Sequence, residues 1–77
     1  MRALILLKVN PGRHSDVDAC LQSASFTGVS IIDKAHVMGQ YDGIIRCDAP
    51  DLQSLNSFAE VLRKDGVFYT ETLVSIE

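Results

Sequence analysis

Ala3-Leu4-Ile5-Leu6-Leu7-Lys8-Val9, closed by the turn formers Asn10-Pro11-Gly12, is the stretch on which the arrangement of the whole chain depends. Successive side chains of a strand point to opposite faces, so odd and even positions can be read separately. The odd set, Ala3, Ile5, Leu7 and Val9, is uniformly apolar. The even set, Arg2, Leu4, Leu6 and Lys8, is apolar in the middle and charged at its ends. A run apolar at both parities is a central strand with both faces at least partly covered. One face belongs to the chain's own helices, and the other must be covered by something else.

Working outward, Ser15-Asp16-Val17-Asp18 carries the signals of a helix start. Ser15 is the expected cap, Asp16 and Asp18 suit the positive end of the helix dipole, and Asp18 stands in for the capping-box glutamate. Val17, Cys20, Leu21 and Ala24 then recur at helical spacing as one apolar stripe, with Phe26 and Gly28 beyond the end. Val29 to Met38 is predicted as an edge strand. Ile31-Ile32 breaks its alternation, which predicts a bulge, and Asp33, Lys34 and His36 discourage pairing with foreign strands. Gly39-Gln40-Tyr41 turns the chain into a third strand, Asp42 to Ala49, in which Gly43, Ile45 and Cys47 share a face. Pro50 is expected at the first helical position of the next helix, with Asp51 in the first turn. Leu52, Leu55, Phe58, Ala59 and Leu62 form its apolar stripe, Arg63 and Lys64 complement its C-terminal dipole, and Gly66 is its expected left-handed stop. Val67 to Ile76 is the last strand.

The order strand, helix, strand, strand, helix, strand predicts an α+β, ferredoxin-like βαββαβ domain spanning 1–77. Right-handed crossovers place both helices on one face of an antiparallel four-stranded sheet. Leu4, Leu6 and Ile44 then point to the bare face, with Lys8 and Arg46 around them. Glu71 and Tyr69 join them if Thr70 and Thr72 face the helices. An apolar centre with a charged rim is the pattern of a protein interface. The size of the chain points the same way. Its 77 residues bury only about 60–65% of the surface they expose when unfolded, and such domains need disulfides, a metal or oligomerisation. Cys20 and Cys47 lack the CxxC spacing or histidine pairs of a zinc site, and both fall on apolar faces as reduced thiols. Oligomerisation remains, consistent with 47% hydrophobic residues.

The net charge of −3 and the pI near 5.2 argue against a nucleic-acid binder, which needs a basic stripe to replace phosphate counterions. No apolar run is long enough to span a bilayer. Lys8 interrupts the one leader-like stretch, so a cytoplasmic protein without membrane contact is expected. Neither a nucleophile elbow nor a phosphate-binding glycine loop is present, and no cofactor or metal is called for. His14 before the first helix and His36 on the edge strand stand as isolated surface histidines. Asp16 with Asp18, and Asp48 with Asp51, are accounted for by helix N-termini. The hairpin Gly39-Gln40-Tyr41-Asp42 reads first as a plain turn. It also offers exposed backbone N–H groups to a ligand carboxylate and the Asp42 carboxylate to an ammonium. Thr70 and Thr72, on one face of the last strand, are either strand formers or part of that polar set.

Gly39-x-Tyr41-Asp42, then Asp51, Leu55 and Phe58 in a helix, then Gly66-Val67-x-x-Thr70-x-Thr72, together resemble the effector-binding (RAM) domain of the Lrp/AsnC transcription regulators. The resemblance covers essentially the whole chain, and the joint spacing is more specific than any piece of it. It implies a dimeric α/β-barrel, in which two sheets pack face to face through Leu4, Leu6, Lys8, Ile44, Arg46 and Glu71. It further implies assembly into octamers or decamers and an amino acid or related metabolite bound near the hairpin and last strand. Gly39, Gln40, Tyr41, Asp42, Thr70 and Thr72 are then the expected ligand residues. The chain departs from the family pattern in three ways. The first strand begins at Met1 with no helix-turn-helix before it, so a stand-alone form that binds no DNA itself is expected, possible partner to a full-length regulator. The second strand is a residue or two longer than usual, and Met38 occupies a position where a small or polar residue is frequent. Two other readings stand beside the non-enzymatic sensor. One is a small barrel enzyme of monooxygenase or isomerase type, for which the inner set Ala3, Ile5, Leu7, Ile45 and Cys47 offers no proton-transfer group. The other is a purely structural oligomerisation module.

Overall fold

The computed structural model describes residues 1–64, 67 and 69–76. Strand β1 (Arg2–Lys8) is followed by helix α1 (Ser15–Ser23), strands β2 (Ser30–His36) and β3 (Gly43–Asp48), helix α2 (Leu52–Lys64) and strand β4 (Tyr69–Val74). The sheet order is β2-β3-β1-β4 and all pairings are antiparallel, the ferredoxin-like arrangement. β1 is central, as its two apolar faces require, and β2 lies at an edge. The expected irregularity occurs as a register shift between Ile31 and Asp33.

The odd positions of β1 meet the helices. Ala3, Ile5, Leu7 and Val9 pack with Ile45, Cys47, Val17, Leu21, Leu55, Phe58 and Leu62 in one buried cluster, and Phe26 stacks on Phe58 at a centroid distance of 6.1 Å. Both cysteines are buried and neither is joined in a disulfide. Burial, with the Asp48 charge adding to it, pushes the Cys47 thiol above its ordinary value because the thiolate is poorly solvated there. Gly43 sits beneath α1: a Cβ there would lie 3.3 Å from Leu7 Cδ1 and 3.4 Å from Val17 Cγ1. The glycine is what lets the helix settle on β3.

Both helix starts differ from expectation. Ser15 is not the cap but the first residue of α1, and His14 holds the cap position without a side-chain capping bond. The two acids of that turn are engaged elsewhere, Asp16 by Arg13 and Asp18 by His36. At α2, Pro50 lies before the helix and Asp51 is its cap, with Asp51 Oδ1 accepting the Ser54 N–H at 2.8 Å. A short carboxylate reaches the third helical amide only from outside the first turn, so the helix begins two residues later than a proline at its first position would set it. Leu52, expected in the buried stripe, is consequently half exposed in that first turn. Leu55, Phe58, Ala59 and Leu62 are buried as expected. The stop expected at Gly66 lies outside the described residues.

Lys34 also differs. Instead of projecting from the edge into solvent, it pairs with Ile45 on the helix side, and its Nζ donates to the carbonyls of Leu21 at 2.5 Å and Ala24 at 3.1 Å. A β2 cation thus closes the C-terminal end of α1, where orphan carbonyls and the negative end of the dipole favour it.

Register settles the other face. Leu4 lies between Arg46 and Leu73, Leu6 between Ile44 and Glu71, and Lys8 beside Tyr69. Tyr69, Glu71 and Leu73 therefore share the helix-free face with Leu4, Leu6 and Ile44, while Thr70 and Thr72 face the helices. Leu4, Leu6 and Ile44 are only partly covered, and Tyr69 and Leu73 are about half exposed. No helix among the described residues is long and apolar enough to cross a membrane.

Candidate functional site

At its turn end, the β2–β3 hairpin is fastened to the exit of the central strand by Asp42. Asp42 donates its backbone N–H to the Leu7 carbonyl at 2.8 Å and accepts the Val37 N–H on its own carbonyl at 3.0 Å. Its side chain is buried. Oδ2 accepts the Val9 N–H at 2.9 Å, and Oδ1 lies 3.4 Å from His14 Nδ1. The carboxylate thus satisfies a backbone donor at the exit of β1 and fixes the loop leading into α1. Gly39 takes φ +129°, a conformation that side chains rarely adopt, and so permits the reversal.

Two open clefts meet at this point, sharing His14, Gly39 and Asp42. One, of about 450 Å³, is completed by His36, Val37 and Met38. The other, of about 460 Å³, is completed by Lys8, Val9, Asn10 and Pro11. Both fall in the size range of small-molecule sites. Among the described residues no three His, Cys, Asp or Glu side chains converge as a metal site.

Of the six residues expected at a ligand site, Gly39 and Asp42 line the clefts, while Gln40, Tyr41, Thr70 and Thr72 line neither. Tyr41 turns to the helix-free face, where its hydroxyl donates to Glu71 Oε1 at 3.0 Å. That bond, followed by a little burial and the Glu71 charge, raises the Tyr41 phenol above its ordinary value. Thr70 accepts from Arg63 Nη1 at 2.6 Å on the helix side. Gly43 and Thr70 flank Leu7 on opposite sides, a separation of about 10 Å across two strand spacings. The hairpin and the threonines are therefore neighbouring but distinct places within one protomer.

The two histidines, which the sequence presents as isolated, are brought together here. His36 pairs with Gly43 and so points to the helix side, where its Nδ1 meets Asp18 Oδ1 at 3.0 Å. Asp18 is one helical turn beyond His14, on the same side of α1. That spacing, with the parity of His36 relative to Lys34, was the available sequence signal. It needed the hairpin register to be read.

The chain gives no match to a protein-family model or to a curated protein sequence. Solved structures do match over the whole chain. FFRP-DM1 is 26% identical, with a TM-score of 0.72 and coverage of 97% of each chain. AsnC of E. coli superposes with a TM-score of 0.76 at 16% identity, over 99% of this chain and 50% of that one. The chain has the fold of an Lrp/AsnC effector-binding domain. A third match is the Neisseria meningitidis transcriptional regulator NMB0573, solved as a complex with L-Met, with a TM-score of 0.66 at 16% identity over 99% of this chain and 51% of that one. The chain spans about half the length of these two regulators, and at their identities the likeness is one of fold.

Proposed function

We propose that this chain is a single, non-enzymatic effector-binding domain that works as an oligomer and binds an amino acid or a closely related small molecule. The observation that carries this reading is the superposition of the whole chain on AsnC of E. coli and on a transcriptional regulator solved with L-Met. The clefts beside the Gly39–Asp42 hairpin support it with room for a ligand of that size. The helix-free face supports the assembly: Leu4, Leu6 and Ile44 form an apolar centre, with Lys8, Arg46 and Glu71 at the rim. A second copy packed sheet to sheet would cover it, leaving the hairpin end for ligand and for larger assembly, including mixed assembly with a full-length regulator. Gln40, Tyr41, Thr70 and Thr72 enter such a site through a neighbouring subunit's approach rather than through the clefts of one protomer. Action in the cytoplasm fits two buried cysteines that are not joined in a disulfide.

A thermal-shift screen of the standard amino acids, paired with light scattering, tests the proposal. A ligand at about a hundred times its dissociation constant stabilises by about 2.7 kcal/mol per site, and the domain should scatter as a dimer or multiple of it. Leu6→Glu should reduce the mass to that of a monomer. A monomeric wild type whose melting curve no amino acid moves would remove the proposal.

A further inference from the structure

We infer that the imidazoles of His14 and His36, rather than the carboxylate of Asp42, receive the ammonium group of the ligand, which carries an unbranched apolar side chain. This rests on the effector-binding reading and specifies its chemistry.

Asp42 has little left to offer a ligand. One carboxylate oxygen accepts the Val9 N–H, the other faces His14 Nδ1, and the residue is 8% exposed. An ammonium on Oδ2 would compete with the buried Val9 N–H, and one on Oδ1 would share that oxygen with His14 Nδ1. The histidines stand in the opposite condition. Each ring turns Nδ1 towards a carboxylate, His14 towards Asp42 at 3.4 Å and His36 towards Asp18 at 3.0 Å. A carboxylate only accepts, so the Nδ1 of a neutral ring carries the proton and Nε2 keeps its lone pair. Among the described residues no hydrogen bond reaches either Nε2. Both rings line the cleft of about 450 Å³. Two acceptors, each backed by a negative charge, suit a group that has three donors and no acceptor, which is an ammonium. The remaining wall is Val37, Met38 and Gly39, with Met38 98% exposed. An unbranched side chain can lie along that flexible thioether, which adapts its shape to what it contacts.

The test uses the full chain and three probes. L-methionine carries both head groups, L-methioninamide keeps the ammonium and loses the carboxylate, and 4-methylthio-2-oxobutanoate keeps the carboxylate and loses the ammonium. L-methionine and its amide should raise the melting temperature, and the oxo acid should leave it unchanged. By calorimetry, His36→Phe and His14→Phe should each weaken L-methionine by about tenfold or more, the effect of losing one hydrogen bond to a charged group. His36→Gln, which restores an acceptor, should recover part of the loss. Binding of the oxo acid as tight as that of L-methionine overturns the inference, as does affinity within about twofold of wild type in both Phe variants. If another amino acid binds and none of these three does, the inference falls and the proposed function stands. If no amino acid binds at all, both fall.

Discussion

Replacing Asp42 by alanine should destabilise the domain well beyond what a turn residue ordinarily contributes. The substitution removes the acceptor of the Val9 N–H, a contact of 2.9 Å at a residue 8% exposed. A buried donor left without a partner costs about 1–3 kcal/mol. The lost contact with His14 adds little, because that side chain is 64% exposed and exposed pairs contribute about 0–1 kcal/mol. Together these give about 2 kcal/mol. At about 4–8 °C per kcal/mol for a domain of this size, the melting temperature should fall by about 8–16 °C. Asp42→Asn keeps an oxygen for Val9 and loses only the charge assistance, so it should cost about half as much. Urea unfolding followed by circular dichroism measures both variants. The protomer concentration must be matched, because association adds concentration-dependent stability. The midpoint should move with an unchanged slope, in the order wild type, Asn, Ala. An alanine variant within about 0.5 kcal/mol of wild type, the range of an ordinary surface substitution, would refute the role assigned to this carboxylate.

Three further outcomes follow from local geometry. Lys34→Met keeps the apolar stem and removes the donors that close α1 at Leu21 and Ala24. It should cost about 1–2 kcal/mol and speed amide exchange in the last turn of that helix. The Ser54 backbone N–H holds the Asp51 carboxyl below its ordinary value of 3.8. A carboxyl depressed in the folded state contributes stability above its unfolded value and loses it as pH falls through the folded one. The gap in urea midpoint between wild type and Asp51→Asn should accordingly be widest near neutrality and close below pH 3.8. Ultraviolet titration of the tyrosines should find Tyr41 ionising above its ordinary value of 10.0, through its bond to Glu71, and Glu71→Gln should bring it down.

The sequence by itself determined the order and parity of the elements. Two-sided apolarity made β1 central, and alternation assigned Ala3, Ile5 and Leu7 to one face and Leu4 and Leu6 to the other. Helical spacing picked out Val17, Cys20 and Leu21, and then Leu55, Phe58 and Leu62. These are local periodicities, repeated over many residues, and burial enforces them. What depended on a single bond between distant segments was decided only by the tertiary structure. Asp51 rather than Pro50 sets the start of α2, because capping turns on which oxygen reaches an amide. Lys34 turns inward because the end of α1 happens to pass within reach of its ammonium. Asp42, 33 residues from Val9, became a fastening between β1 and the hairpin, and the partners of His14 and His36 appeared only once α1 lay across β3. No periodicity marks such contacts. They are one-to-one matches of donor and acceptor, fixed by how helix and sheet cross.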